Sequence, residues 1–251
     1  MKNYFTIFLF MLSVLAPGKI IPQSRNDLNL VLVYPELTKK VLHNSDSKFE
    51  PTDSWELFLM SNHFKYRMLA DKDLDEINDQ DDAVIIPSLE AVTEEMIEEI
   101  EKISVEGKGI LFTGDFAEFD AKGNRTSDFQ RRILDFKIMS IPAVSAVSIN
   151  HTLKGNTPFS FNLKPGYKIL LNRKPELYYG SGISDKCTPA GSYFPADETF
   201  PDSLSAIISE FRSPGRILWF GFGIDQMIGN ESYEFLSDSF NWLASKAVVF
   251  V

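Results

Sequence analysis

Gly107-Lys108-Gly109-Ile110-Leu111-Phe112-Thr113-Gly114-Asp115 is the stretch that decides the fold. A short apolar run between glycines reads as a buried strand that ends in an abrupt turn. It follows a charged amphipathic helix from Thr93 to Glu106, capped by Thr93. Met96, Ile97, Ile100 and Ile103 form that helix's apolar stripe at a spacing of three and four. Gly107 and Gly109 end the helix and open the strand. In α/β sheets that work by a nucleophile, a Ser or Cys occupies the corner after such a strand, lifted into a cleft. Here the corner is Thr113-Gly114-Asp115. The only cysteine, Cys187, lies far along the chain in what reads as a loop.

The grammar extends upstream. Leu28–Tyr34 is a near-continuous apolar run closed by Pro35, a buried strand by length and β-branching. Asp53-Ser-Trp-Glu56 has the spacing of a capping box, and opens a helix with Trp55, Phe58 and Leu59 on one face. Tyr66–Leu69 and Asp82–Pro87 are the next strands, with a short helix expected at Leu74–Ile77 between them. This alternation predicts βαβ units and a mainly parallel twisted sheet with helices on both faces.

Downstream, Ser127–Leu134 reads as a helix capped by Ser127 or Asp128. From Lys137 the pattern turns loop-rich: short strands at Ile138–Ile149, Tyr167–Leu171 and Leu177–Tyr179 are separated by Pro, Gly and Asn. Order returns with a hairpin, Leu204–Phe211 and Arg216–Phe222, around a turn containing Pro214 and Gly215. A helix then runs from about Ser232 to Ser245. The expected fold is a three-layer, flavodoxin-like α/β domain with a loop-rich β insertion near residues 140–200 and a C-terminal hairpin plus helix.

The chain has 251 residues and a net charge of −10. That charge disfavours nucleic-acid binding, which needs a basic footprint. Lys2, the apolar run Tyr4–Ala16 and the small residues Ala16 and Gly18 read as a secretory signal peptide cut near residue 18. The run is too short for a comfortable membrane span. Residues 1–24 are thus expected to be signal peptide and linker, and 25–251 one domain. No cysteine follows the apolar run, so a lipoprotein anchor is excluded. A lone cysteine forms no internal disulfide, so an exported bacterial protein fits best. The three sequons, at Asn124, Asn150 and Asn230, are then chance matches. The apolar end Ala247–Val251 pairs inside the sheet, continues into a further domain, or self-associates as a homo-oligomer.

The series Asp82–Ser88, Thr93–Glu106 and Gly107–Gly114 resembles the class I glutamine amidotransferase-like superfamily. Within it the chain looks like the non-catalytic branch found beside carbohydrate-active domains, the β-galactosidase trimerisation-type and trehalose-utilisation-like domains. Pro214–Phe222 followed by Phe235–Ala244 resembles their closing hairpin and last helix. The resemblance implies a tethered or associated carbohydrate-active partner and a carbohydrate ligand. Catalytic members carry a Cys at the corner and a His and Glu two residues apart. This chain has no corner thiol, and His43, His63 and His151 have no acid two positions on. Amidotransferase chemistry is therefore excluded.

Other chemistries stay open at this stage. Asp115, Glu118 and Asp120 follow the corner in one acidic loop. Two carboxylates beside a cleft serve glycoside hydrolysis or bind a divalent cation. Equally, Asp115 caps the next turn and Asp120–Gly123 forms a β-turn. Ligand-binding candidates are Thr113, Gly114 and Asp115 at the corner, with Tyr178 and Tyr179, and beside them Tyr193 and Phe194, as an exposed aromatic surface. Trp55, Trp219 and Trp242 read as core. The glycines at Gly221 and Gly223 read as close packing. No His-Glu-x-x-His or Gly-x-Gly-x-x-Gly pattern occurs, so no metal or cofactor is expected.

Overall fold

A computed structural model of the chain describes residues 27–42, 51–141, 146–150, 168–171, 177–195, 204–228 and 231–244. The signal-peptide reading, His43, His151, the Phe194 side chain and Ala247–Val251 lie outside the described residues.

Strands β1 (Asn29–Tyr34), β2 (Lys65–Ala70), β3 (Ala83–Pro87), β5 (Gly109–Thr113) and β13 (Gly215–Phe220) form a parallel core in the order β2-β1-β3-β5-β13. This is the flavodoxin-like order, reversing at the β1/β3 boundary. The sheet continues antiparallel through β12 (Ser205–Arg212), β11 (Cys187–Pro195), β8 (Ala146–Asn150), β9 (Lys168–Leu171) and β14 (Met227–Ile228). A side branch of β10 (Leu177–Ser181) and β7 (Lys137–Ile141) hangs from β12.

Strand periodicity sorts the core into two faces. Leu30, Leu32, Ile85, Leu111, Leu218 and Phe220 face one way. There they meet Trp55 and Leu59 of α2 (Pro51–Ser61) and Phe235, Leu236, Phe240 and Leu243 of α5 (Glu231–Ala244). Val31, Val33, Val84, Ile86, Ile110, Phe112, Ile217 and Trp219 face the other way, against the buried stripe of α3 (Glu94–Val105). That stripe is the expected Met96, Ile97, Ile100 and Ile103, and the Thr93 side chain accepts from the Met96 N–H. Gly109 allows a close helix contact: a Cβ there would overlap the Leu243 carbonyl.

Three local expectations are corrected. Helix α2 begins at Pro51, not at an Asp53–Glu56 capping box, because proline at the first helical position needs no N–H partner. Helix α4 (Asp128–Ile133) has Ser127 at its N-cap position without a side-chain cap bond; Thr126 Oγ1 instead accepts from the Asp128 N–H. The short helix between β2 and β3 is a 3-10 turn at Asp71–Glu76, earlier than Leu74–Ile77.

Candidate functional site

The loops leaving β3 and β5 are laced together. Ser88 donates its N–H to the Thr113 carbonyl at 2.8 Å, and Ala117 donates to Leu89 at 2.9 Å. Strand β4 (Ala91–Val92) then pairs with β6 (Phe119–Asp120). Helix α1 (Glu36–Leu42), which leaves β1, joins this knot: its buried Thr38 hydroxyl accepts from the Ala91 N–H at 3.0 Å. The segments leaving β1 and β3 thus pack on each other with Leu89, Ala91 and Val92 fully buried. They occupy the β1/β3 boundary, where doubly wound sheets commonly take a ligand.

The backbone is strained there. Gly114 has φ +69°, Ser88 φ +45° and Ala117 φ +53°. Left-handed non-glycine residues are costly and cluster at functional turns. Gly114 holds the strained corner position of a nucleophile elbow but has no side chain. A Cβ on it would lie 2.6 Å from Ser88 Oγ. Its carbonyl accepts from the Trp219 indole at 3.0 Å, and its N–H donates to the Phe220 carbonyl at 2.9 Å.

Beyond the corner, a cleft of about 730 Å³ opens between the Asp115–Gln130 segment and the β7/β10 branch. That volume is within the roughly 300–1,000 Å³ of small-molecule sites. Asp115, Glu118, Arg125, Ser127, Lys137, Ser140 and Tyr178 line it. Gln130 holds the two walls together. Buried on the apolar side of α4, its amide donates to the Phe116 carbonyl at 2.9 Å and accepts from the Ile138 N–H at 3.1 Å.

Asp115 is 8% exposed, and its Oδ1 accepts from the Phe116 N–H at 2.8 Å. Burial, then the hydrogen-bonded and charged Glu118 carboxyl, push Asp115 well above the usual carboxylate range. Asp115 therefore takes up a proton more readily than an ordinary carboxyl. Glu118 pairs with Arg125 at 3.2 Å, and the Arg125 guanidinium also lies 5.7 Å from the Phe119 ring centroid.

Of the acidic candidates, then, Asp115 and Glu118 come together and Asp120 does not. Asp120 turns back on its own loop. Its Oδ1 accepts from the Lys122 and Asn124 N–H groups at 2.8 and 2.9 Å, and Gly123 closes the turn. Thr113 is spent inside the sheet, paired with Pro87 and Phe220.

The aromatic set also divides. Tyr178 reaches the cleft, whereas Tyr179, its neighbour on β10, packs toward the opposite core by strand alternation. Tyr193 corrects the exposed-surface reading. It is 4% exposed, with its hydroxyl 2.7 Å from the Gly221 carbonyl oxygen and 2.9 Å from that of Tyr178. Gly221 is needed there, since a Cβ would overlap the Tyr178 carbonyl oxygen. The three tryptophans are core, as expected.

Cys187 is not in a loop; it opens β11, buried beside Glu210 with Sγ 3.6 Å from Oε2. Burial first, and the Glu210 charge second, push its thiol up to about 12. Among the described residues no His, Cys, Asp or Glu trio could hold a metal ion, and no helix is long and apolar enough to cross a membrane.

The sequence reading missed Gln130, the Trp219–Gly114 bond and the β7 side of the cleft. Gln130 had a signal: it stands three residues before Ile133, so the apolar face of α4 carries one amide. The other two depend on the β7/β10 branch and on a β5–β13 pairing across more than a hundred residues.

No family model and no curated relative matches the sequence. Solved structures do match the fold. A ThuA-like protein from Bacteroides uniformis superposes with a TM-score of 0.63 at 13% identity, over 92% of this chain and 96% of that one. Gan42B, a GH42 β-galactosidase from G. stearothermophilus, gives 0.61 at 13% identity over 89% of this chain. This chain spans only 31% of that enzyme's length. A GMP synthase-type protein from Thermoplasma acidophilum gives 0.53 at 12% identity, over 86% of this chain and 94% of that one. At these identities the likeness shows a shared α/β fold and leaves function to the site.

Proposed function

We propose that this chain is an exported, catalytically inactive amidotransferase-like domain that binds a saccharide in the Asp115–Tyr178 cleft. The observation that carries this reading is the cleft wall itself. The Asp115 and Glu118 carboxyls, the Ser127 and Ser140 residues and the Tyr178 ring line one opening of about 730 Å³. Carboxyls and hydroxyls both donate and accept, which suits a polyol, and an aromatic ring offers an apolar body with a polar tip. The similarity to a β-galactosidase domain supports a carbohydrate setting. In this reading residues 1–24 direct export from a bacterial cytoplasm, residues 25–251 are one domain, and a carbohydrate-active enzyme is its partner.

Inactivity as an amidotransferase rests on the corner. Gly114 has no nucleophile, Ser88 Oγ crowds the place of a Cβ, and Cys187 is a buried thiol on β11. His63 is committed to the end of α2. Titration of the mature chain with a panel of oligosaccharides by calorimetry tests binding, and ammonia release from glutamine tests inactivity. Saccharide binding weakened by Tyr178→Ala, with no ammonia, is expected. Absence of saccharide binding, or glutamine turnover, contradicts the reading.

A hydrolase is the second reading, favoured by one observation: Asp115 holds a proton into a pH range where an ordinary carboxyl has lost it, as a general acid must. Against it, the second carboxyl, Glu118, is tied to Arg125 at 3.2 Å. Chromogenic glycosides decide this. Cleavage that vanishes with Asp115→Asn would replace the binding reading by the enzymatic one.

A further inference from the structure

The peptide unit between Phe116 and Ala117 is held at both ends. Its carbonyl accepts from the Gln130 side-chain amide at 2.9 Å, and its N–H donates to the Leu89 carbonyl at 2.9 Å. Ala117 stands there at φ +53°, a left-handed position that a non-glycine residue keeps only where its surroundings enforce it. In the preceding peptide unit the Phe116 N–H donates to Asp115 Oδ1 at 2.8 Å. The orientation of Asp115 and the strain at Ala117 therefore belong to one turn.

Gln130 is placed to enforce that turn. It is 7% exposed, and while it donates to the Phe116 carbonyl it accepts from the Ile138 N–H at 3.1 Å. A run of hydrogen bonds thus leads from the β7 backbone at Ile138, through Gln130 and Phe116, to the Asp115 carboxyl on the cleft wall. Phe116 is itself buried, so its carbonyl has no ready substitute partner if the amide is removed.

We propose that Gln130 is the positioning residue of the cleft: it pins the strained Phe116–Ala117 peptide and thereby sets the direction in which the Asp115 carboxyl meets a bound saccharide. The ligand in this inference rests on the saccharide reading above; the pinning does not. The amide donates at one atom and accepts at the other. A protonated glutamate has the same shape and the same two capacities, an ionised glutamate only accepts, and methionine keeps the length without a donor.

The test compares the wild type, Gln130→Glu and Gln130→Met by calorimetric titration with a panel of neutral oligosaccharides from about pH 5 to about pH 9. Amide hydrogen exchange of Ala117 is followed in the free proteins, and circular dichroism checks that each is folded. Asp115, Glu118 and Arg125, with Lys137 of β7 and Tyr178 of β10, also line the cleft and are the same in all three proteins. The ratio of variant to wild-type affinity at each pH therefore isolates position 130. Gln130→Glu is expected to bind within about twofold of the wild type at about pH 5, where its buried carboxyl is protonated and donates to the Phe116 carbonyl, and about tenfold more weakly at about pH 9, where it is ionised. Gln130→Met is expected to be about tenfold weaker throughout. Relative to the wild type at the same pH, the Ala117 amide exchanges faster in Gln130→Met at every pH and in Gln130→Glu only at high pH. A Gln130→Glu ratio that stays flat across the range, or a Gln130→Met variant that binds like the wild type, overturns the proposal and leaves the saccharide reading intact. If the wild type binds no member of the panel, the saccharide reading fails and the Ala117 amide alone decides the pinning: unequal exchange upholds it, equal exchange overturns it.

Discussion

The Trp219 indole N–H donates to the Gly114 carbonyl across 3.0 Å, joining the core face of β13 to the strained corner after β5. Both groups are buried, so neither has water as a substitute partner. Trp219→Phe keeps a ring in the core but orphans that carbonyl and leaves a gap. We expect a loss of about 2–3 kcal/mol in chemical denaturation. Weaker saccharide binding should accompany it, because Asp115 follows the corner directly. A loss below about 0.5 kcal/mol, the range of ordinary surface changes, would show that the bond does not hold the corner.

His63 occupies a left-handed position, φ +59°, just past α2. Its N–H donates to the Met60 carbonyl and the Phe64 N–H to that of Leu59, the pairing of a Schellman motif whose preferred residue is glycine. His63→Gly relieves the Cβ strain at some cost in unfolded-chain entropy. A net gain of about 0.5–1 kcal/mol in thermal or urea unfolding is expected, with ligand binding unaffected. A destabilised variant would mean that the imidazole makes a contact of its own.

Asp71 is buried at the start of α1, where its Oδ2 accepts from the Leu37 N–H at 2.8 Å. Burial dominates that bond and pushes its carboxyl up to about 6. In the unfolded chain it titrates near about 3.9. Between these values the folded state holds more protons than the unfolded one, so stability falls as pH rises from about 4 to 6. Asp71→Asn keeps an acceptor and removes the titration. The wild type should lose stability relative to the variant across that window and nowhere below it. A difference independent of pH would contradict the assignment.

Cys187 is 6% exposed with its thiol pushed up to about 12. Native protein at a pH of about 8 should react with a thiol reagent only on the timescale of unfolding, and quickly in denaturant. Cys187→Ala should leave ligand binding unchanged. Rapid labelling of the folded chain would mean that this end of β11 opens.

The parallel core was legible because its signals are local. Leu28–Tyr34, Asp82–Pro87 and Gly109–Thr113 are apolar runs, and the Met96–Ile103 stripe has one helical period; each pattern has one way to be buried. Gly107 and Gly109 likewise announced the end of the helix and the start of the strand, and Gly221 announced close packing. The cleft was only half legible. Asp115 and Glu118 stood out as acids after a strand end, yet Asp120 looked equivalent until its turn with Asn124 and Gly123 drew it away. Tyr178 and Tyr179 are adjacent in sequence, and alternation sends one to the cleft and one toward the opposite core. Which goes where depends on the pairing of β10 with β7 and β12, a long-range fact with no local trace. Tyr193 and Cys187 were misplaced for the same reason, since a strand among Pro and Gly residues reads as loop.

The central claim is a saccharide-binding cleft without amidotransferase chemistry. Its most direct test is amide NMR of the mature chain titrated with an oligosaccharide mixture and then with the best single component. The account predicts saturable shifts concentrated at Asp115, Glu118, Ser140 and Tyr178, with an unaltered glycan at the end of the titration. Shifts confined to another face, no shifts at all, or a cleaved glycan would contradict it.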